Sequence, residues 1–457
     1  MIMIFNNYKK ILLVAATLLV TACEDKLDLT DPNNAEDKFA LATDTNVKST
    51  LIGAYNNLSA GAFFGGNTLR NSELMAANDE IVFSGTFNDV SDLYRKEMIA
   101  ANSDVANMWI AAYATINTVN NVLSALNVVN EEDRDQVEGE ALFLRGLSYF
   151  ELIQFFAQPY SAGGAATNLG VPIRLVEDRN STRPVGRATV QQVYDLIIDD
   201  LTTAESQLAE GPVSGKATAE AAAAVLSRVY LQMANYTEAR DAADRAISSG
   251  NYELVDRIDL CFEGPTTSED IFNIPVSEVD GVNNMVTFFA ASAFGGRGDI
   301  EVQDSHLNLY ESGDERLDLF YIDPSTDDIR TGKWTNQFGN VKIIRLAEMY
   351  LTRAECNVRL GTSVGDSPLN DVNLIRERAG LTPLGAVTLA DILNERRLEL
   401  AHEGQRLHDA KRLLESIALG ATIFSYDDDL LVFPIPQREI DVNTALAGQQ
   451  NPGYITN

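Results

Sequence analysis

The histidines are the first residues in this chain that could carry out acid–base or metal chemistry. There are three of them, His306, His402 and His408. His402-Glu403 begins like an HExxH zinc-binding helix, but position 406 is an arginine and the next histidine lies six residues after His402. Six residues turn a helix through about 600°, which leaves the two rings on different faces. We therefore predict no metal site at these residues.

Carboxylates are too numerous in this chain for their spacing to indicate catalysis. Asp and Glu together number 66, so pairs at the separation that glycosidases use arise by chance. The run Asp427-Asp428-Asp429 lacks the spacing and the final Glu of an EF-hand, so a solvated loop is favoured over a calcium site. Neither a GxSxG nucleophile elbow nor a GxxxxGKS/T phosphate loop occurs. The sequence thus predicts a binding protein without a cofactor, and not an enzyme.

Phenylalanines beside amide and arginine side chains are the remaining candidates for a site. A flat apolar platform with a few polar groups suits both sugars and peptides. The alternative is that these rings fix their own loops to the scaffold. The rings are Phe63, Phe64, Phe83, Phe87, Phe288, Phe289 and Phe294, and the polar candidates are Asn67, Arg70, Asn78 and Arg297.

We predict that the ligand binds where Gly61–Phe87 meets Gly281–Asp299. Glycine lets a backbone approach a ligand closely, and side-chain amides match the paired donor and acceptor of a sugar diol. Arg70 and Arg297 would favour an acidic sugar or a carboxylate, unless each pairs with a neighbouring acid.

The first residues of the chain resemble a lipoprotein export signal. Lys9 and Lys10 precede the apolar stretch 11–20, which is too short to cross a bilayer, and Val-Thr-Ala-Cys then resembles a bacterial lipobox. We predict a signal peptide over 1–22, lipidation of Cys23 and an acidic tether over 23–38. The alternative is an ordinary signal peptide cut near Ala22, with an incidental cysteine.

Most of the predicted body, residues 39–457, has helical periodicity. Leu226, Tyr230 and small residues such as Ala234 and Ala239 place a tetratricopeptide-like helix pair within 219–251. Since such pairs bury little alone, we expect a stacked array. Helices are predicted over Val47–Ser59, Asp104–Leu126, Val137–Phe156, Val190–Leu208, Ala217–Met233, Thr237–Ser248, Ile343–Leu360, Leu369–Ala379 and Leu389–Leu414.

Two loop-rich excursions interrupt this pattern, at 61–87 and 252–339. Within the second excursion, Asp270–Val276 alternates between apolar and polar residues as a strand does. Outside both excursions, the charged helix Leu389–Leu414 pairs its charges at i, i+3 and is predicted to be a solvated or interface helix. Excursions this long from a helical scaffold are usually functional or disordered, and the aromatic content of these two argues against disorder.

Charge and cysteine content restrict the partners and the crosslinks. A formal net charge of −31 repels phosphate backbones, which excludes nucleic acid as a partner. It also implies that a lipid, and not a basic patch, holds the protein on its membrane. Once Cys23 is lipidated, only Cys261 and Cys356 remain, and separate buried thiols are favoured over a disulfide.

Several long strings in the chain resemble the SusD/RagB family of outer-membrane nutrient-binding lipoproteins. The resemblance covers nearly the whole mature chain, while His402, Leu407 and His408 depart from aromatics often seen in the last of these segments. The strings are CEDKLDLTDPN, ALFLRGLSYFELIQFFAQPY, GVPI, RATVQQVYDLIIDDLTTAE, IIRLAEMYLTRAECNVRLG, ILNERRLELAHEGQRLHDAKRL and FPIPQREIDVNTALAGQQNPGY.

The resemblance implies a mostly α fold, in which about four tetratricopeptide-like helix pairs support an irregular, loop-rich ligand-binding part. It also implies a TonB-dependent outer-membrane barrel transporter (SusC-like) as partner, and an oligosaccharide or sometimes a peptide as ligand. No ligand contact can be carried over, because the matching strings are scaffold residues.

We therefore expect a lipid-anchored cell-surface protein of the outer membrane that captures an oligosaccharide and delivers it to the barrel. Three alternatives stay open: a peptide-binding member of the same family, a lipid-anchored glycoside hydrolase, and a lipid-anchored helical-repeat scaffold that binds no nutrient.

Overall fold

The computed structural model of the chain describes residues 41–176, 184–279 and 281–454. The predicted signal peptide, Cys23 and the tether lie outside these residues. The described part is mostly helical, as predicted, and none of its helices is long and apolar enough to cross a membrane. Its sixteen α-helices are α1 Asp44–Leu58, α2 Asn67–Met75, α3 Asn88–Arg95, α4 Ser103–Ser124, α5 Glu131–Phe156, α6 Val190–Gln207, α7 Ala219–Gln232, α8 Tyr236–Ser248, α9 Leu260–Glu263, α10 Asn284–Phe289, α11 Asp304–Leu307, α12 Leu346–Leu360, α13 Pro368–Arg378, α14 Leu389–Glu399, α15 Arg406–Arg412 and α16 Gln437–Val442.

Eight of these helices pack as four successive pairs, which confirms the predicted array. The pairs are α1 with α4, α5 with α6, α7 with α8, and α12 with α13, and α4–α5, α6–α7 and α8–α12 contacts join them. Thr189 begins α6 with a capping box to Gln192, and the Thr218 hydroxyl caps α7. Gly146 lets α5 and α6 approach closely, because a Cβ there would lie 2.8 Å from Leu201 Cγ.

Of the residues predicted to lie between the helices of the 219–251 pair, Leu226 and Ala239 are buried, whereas Ala234 was placed wrongly: it is exposed in the turn between α7 and α8, where its φ is +59°. Trp109 is buried and packs edge-on against Phe156, with ring centroids 4.9 Å apart. Cys261 and Cys356 are free and buried, which confirms two separate thiols. The apolar interior has a large cluster that includes residues of α1 and α4 to α8, and a separate smaller cluster between α12, α13 and α14.

Short strands hold the irregular part together. The four-stranded antiparallel sheet has the order β1-β3-β5-β4, and its Ile81↔Val302 register joins the two predicted excursions. Asp270–Val276 contains the predicted strand, which pairs with residues 341–345. The strands are β1 Ile81–Phe83, β2 Asp270–Ile274, β3 Ile300–Val302, β4 Phe320–Ile322, β5 Ile329–Thr331, β6 Val341–Arg345, β7 Ile417–Leu419 and β8 Thr422–Phe424.

Two predicted element boundaries were wrong. Ile343 lies in β6 and not in a helix, because Val341–Arg345 pairs with β2 before α12 begins. Leu389–Leu414 is two helices, α14 and α15, separated by a turn in which His402 and Gly404 have positive φ. At Gly404 the turn passes so close to α2 that a Cβ would lie 2.6 Å from Leu69 Cα.

Most charged side chains of α14 and α15 are wholly or partly buried, although Asp391 is exposed. Of the two predicted alternatives, a solvated or an interface helix, the solvated one is therefore wrong. Arg396 pairs with Glu348 and with Asp409, each at 2.9 Å, and its side chain is 3% exposed. Glu399 does not pair with Arg396 but with Arg345 at 3.0 Å. The i, i+3 pattern therefore serves a buried network of ion pairs, because these helices pack against α12 and β6.

Candidate functional site

Five of the rings predicted as a ligand platform lie in the core. They are between 0% and 6% exposed, and they are Phe63, Phe64, Phe83, Phe288 and Phe289. Phe63 and Phe64 pack on each other with centroids 4.6 Å apart, and α10, which carries Phe289, packs on α2. A ligand cannot contact these rings in this arrangement, so their assignment to a binding platform was wrong.

The polar candidates on α2 also have structural partners. Arg70 is 1% exposed, forms an ion pair with Asp104 at 2.6 Å and lies over the Phe288 ring at 4.3 Å. Asn67 donates to Asp104 at 3.1 Å and accepts a hydrogen bond from Asn284 at 3.2 Å. Both side chains connect α2 to neighbouring helices through these contacts, and both are buried, so neither is exposed to a ligand.

Asn78 has a role in a turn. Its φ is +49°, its Nδ2 donates to Glu80 at 3.0 Å, and its Oδ1 accepts from the backbone N–H of Ala418 at 3.0 Å. Because Ala418 lies on β7, Asn78 connects this turn to the β7–β8 hairpin. Its predicted ligand contact is replaced by these hydrogen bonds.

The two predicted segments nevertheless meet, and they leave an exposed aromatic surface. Phe87, Phe294 and Phe338 are 45%, 40% and 38% exposed, and no other aromatic side chain of residues 41–176, 184–279 and 281–454 falls in the exposed class. We call the surface formed by Thr86, Phe87, Phe294, Arg297, Tyr321 and Phe338 the loop face. The loop of Phe338 adjoins that of Phe294, because the Gln337 side chain lies against Gly295. Exposed rings on adjoining loops suit a binding site.

Backbone hydrogen bonds bring the loops of this surface together. The N–H of Ser84 donates to Asp299 O at 2.8 Å, and the N–H of Asn283 donates to Gln337 O at 2.9 Å. Asn283 also donates through Nδ2 to Gly339 O at 2.9 Å. The loop face therefore rests on a fixed framework.

Two of the exposed rings, Phe87 and Phe294, have an aromatic partner that orients them. Phe294 packs edge-on against Tyr321 at 5.3 Å between centroids, and the Tyr321 hydroxyl accepts from the N–H of Ala291 at 2.9 Å. Phe87 packs on the buried Phe288 at 5.8 Å. Of the predicted residues, Phe87, Phe294 and Arg297 thus lie on the loop face.

Sequence reasoning missed Phe338 and Tyr321. Phe338 is a lone aromatic in the polar, glycine-containing stretch Asn336–Gly339, which was a usable signal. Tyr321 gave no signal, because only the packing of β4 beneath Phe294 brings it to this surface.

The histidines are separate from the loop face and buried. Burial lowers the pKa of His402 well below its usual range, with the neighbouring His306 adding to the effect, and lowers the pKa of His408 to about 3. Within the described ranges, no group of three or more His, Cys, Asp or Glu side chains is placed to hold a metal ion. The chemistry that the loop face offers is apolar contact and hydrogen bonding.

A concavity elsewhere on the scaffold contains none of the predicted residues. It has a volume of about 480 Å³ and lies between α4 and the C-terminal segment, with Trp109, Tyr113, Arg438 and Val442 in its walls. The exposed phenylalanines do not line it.

Comparisons with known proteins agree on one family. Residues 26–231 match a family profile described as "Starch-binding associating with outer membrane", and residues 320–454 match the SusD family profile. A SusD-like protein of Bacteroides ovatus is 24% identical over 89% of this chain and 82% of its own length. The starch-binding protein SusD of Bacteroides thetaiotaomicron is 29% identical over 33% of this chain and 31% of its own.

Solved structures give the same result. The crystal structure of a SusD superfamily protein from Bacteroides thetaiotaomicron superposes with a TM-score of 0.80 at 27% identity, over 90% of this chain and all of that one. A SusD superfamily protein from Bacteroides vulgatus gives a TM-score of 0.81 at 25% identity, over 90% of this chain and 99% of its own. With both family profiles and these folds in agreement, the chain belongs to the SusD/RagB family.

Proposed function

We propose that this protein is a cell-surface lipoprotein that binds an oligosaccharide on its loop face and passes it to a TonB-dependent outer-membrane barrel. The observation that supports this proposal most is the exposure of Phe87, Phe294 and Phe338 on one framework of loops. Three exposed phenylalanines on adjoining loops offer an apolar surface on which a ligand can pack, and apolar patches of this kind often mark binding sites.

An oligosaccharide fits this surface chemically. One face of a pyranose is apolar and stacks on an aromatic ring, while its hydroxyls pair with side chains such as Thr86 and Arg297 at the rim. The description of the family profile over residues 26–231 and the name of the starch-binding relative support the same ligand class. A peptide with apolar side chains is the second candidate, since the rings would also accept those.

Alanine substitution of the exposed rings tests the location of the site. Phe87→Ala, Phe294→Ala and Phe338→Ala are each expected to weaken oligosaccharide binding by about 1–3 kcal/mol, the usual contribution of a stacked ring. Because the rings are exposed, the melting temperature stays nearly unchanged. Calorimetry measures the affinity, and the substitution Leu374→Ala is the control, since Leu374 is 41% exposed on α13 of the helical array.

If all three variants bind as tightly as the wild type, the site does not include the loop face. The same titrations test the hydrolase alternative, because a binding protein leaves the chain length of the oligosaccharide unchanged. Shortened oligosaccharides in the calorimeter cell after the titration would favour the glycoside hydrolase.

Membrane attachment and the partner are tested in one preparation. Full-length protein expressed with its cognate barrel is expected in the outer-membrane fraction and co-purifies with the barrel in mild detergent.

Cys23→Ala is expected to lose the outer-membrane location, because stable residence needs about two acyl chains at roughly 0.8 kcal/mol per buried CH₂. Wild-type levels of Cys23→Ala in the outer membrane would exclude Cys23 as the anchor, and a lipoprotein that never co-purifies would argue against the barrel.

A further inference from the structure

Arg297 is the cation that a ligand on the loop face would meet, and its charge is already neutralised. Its Nε donates to Asp299 Oδ2 at 2.9 Å, and its Nη2 donates to the Thr86 hydroxyl at 3.0 Å. The guanidinium lies over the Phe87 ring at 4.6 Å. One face and two edges of the guanidinium are therefore occupied.

Asp299 is held where it is by the fold. Its side chain is 7% exposed, whereas that of Arg297 is 42% exposed. Its carbonyl accepts from Ser84, and a Cβ at Gly85 would lie 2.6 Å from its Cγ, so the carboxyl group packs directly under the loop 84–87. The carboxylate is therefore held beneath this loop, within hydrogen-bond distance of Arg297.

Other cations near these loops are also paired. Arg330 is buried and pairs with Asp328 at 2.6 Å, and Lys333 is buried and pairs with Glu403 at 2.6 Å. The chain as a whole carries a formal net charge of −31. An anionic ligand would therefore meet a neutralised arginine, a fixed carboxylate and a negative background potential.

We propose that the loop face selects neutral oligosaccharides over oligosaccharides that carry carboxylate or sulfate groups, and that Asp299 is the residue that sets this preference. The proposal rests on the proposed function at the same surface. A neutral sugar needs no cation, since its apolar face stacks on the rings and its hydroxyls accept from an arginine that is already paired. An acidic sugar would need Arg297 unpaired, and Asp299 prevents that.

The test compares a neutral oligosaccharide with its counterpart oxidised to carboxylate at C6. The wild-type protein is expected to bind the neutral form at least about tenfold more tightly. A factor of ten is about the contribution of one charge-assisted hydrogen bond, the bond that Arg297 does not form with the carboxylate of the oxidised form. Asp299→Asn keeps the shape of the side chain but frees the charge of Arg297. The ratio of the two dissociation constants is then expected to fall by about tenfold, and the effect should diminish at high salt.

Arg297→Gln is the second variant, because it changes an exposed side chain and leaves the buried Asp299 in place. It removes the positive charge, so the preference against the acidic oligosaccharide is expected to increase. Wild-type protein that binds both oligosaccharides equally, or an unchanged ratio in folded Asp299→Asn, would overturn the selectivity while leaving the proposed function intact. If the protein binds neither oligosaccharide, and alanine substitution of the loop-face rings changes its affinity for no glycan, both proposals are wrong.

Discussion

Replacing Arg345 with alanine is expected to lower the free energy of unfolding by about 3–5 kcal/mol, the usual cost of removing one partner from a buried ion pair. Arg345 ends β6 and is 1% exposed. It pairs with Glu399 at 3.0 Å and with Glu403 at 2.7 Å, and it also contacts Glu269. Alanine would leave three buried carboxylates short of a cation.

The same network predicts acid sensitivity. Burial alone would raise the pKa of Glu399, but Arg378, Arg345 and Arg316 outweigh it and hold that pKa well below its usual range. A lowered pKa in the folded state stabilises the fold fully at pH values above the unfolded value of about 4.5, and this stability is lost progressively as the pH falls from there through the lower folded-state pKa. In Arg345→Ala this part of the acid dependence should shrink.

Urea unfolding at neutral pH measures the effect, with Arg438→Ala as the control. Arg438 has a side chain that is 65% exposed and lies 3.5 Å from Glu439, so its loss is expected to cost less than about 1 kcal/mol. If Arg345→Ala unfolds at the same urea concentration as the wild type, the prediction is wrong, and the remaining cations stabilise the three carboxylates without Arg345.

Phe63→Ala is expected to cost about 3–5 kcal/mol of unfolding free energy, which is typical of a deleted core phenylalanine. Phe63 is fully buried and packs on Phe64, in the segment that leads into α2. Phe87→Ala is the matched control, because its ring is 45% exposed and its removal opens no comparable cavity. Thermal melting of the two variants compares them directly, and equal melting temperatures would contradict the assignment of Phe63 to the core.

The contrast between Phe63 and Phe87 shows what could be read from the sequence. Both rings lie in the same Phe-, Asn- and Gly-rich stretch, and local composition does not distinguish them. The two rings have different neighbours: Phe63 packs on Phe64, whereas Phe87 contacts Phe288 of α10. Since α10 itself packs on α2, these contacts join residues more than 200 positions apart. The meeting of the two segments could be predicted, whereas the side chains that face outward could not.

The helical scaffold could be predicted more fully, because its information is local. Periodicity predicted α6, α7 and α8 to within two residues at each end. The break between α14 and α15 was missed, since Gly404 is required by the close approach of Leu69 on another helix. Likewise, Arg396 has charged neighbours at helical spacing on its own segment, but its partner Glu348 lies on α12.

A glycan array tests the central claim most directly. The protein without its signal peptide and Cys23 is compared with a variant that carries Phe87→Ala, Phe294→Ala and Phe338→Ala together and melts at the same temperature. The wild type is expected to bind at least one class of neutral oligosaccharide on the array, and the triple variant is expected to bind none. A triple variant that binds the same glycans as strongly as the wild type would contradict glycan binding on the loop face.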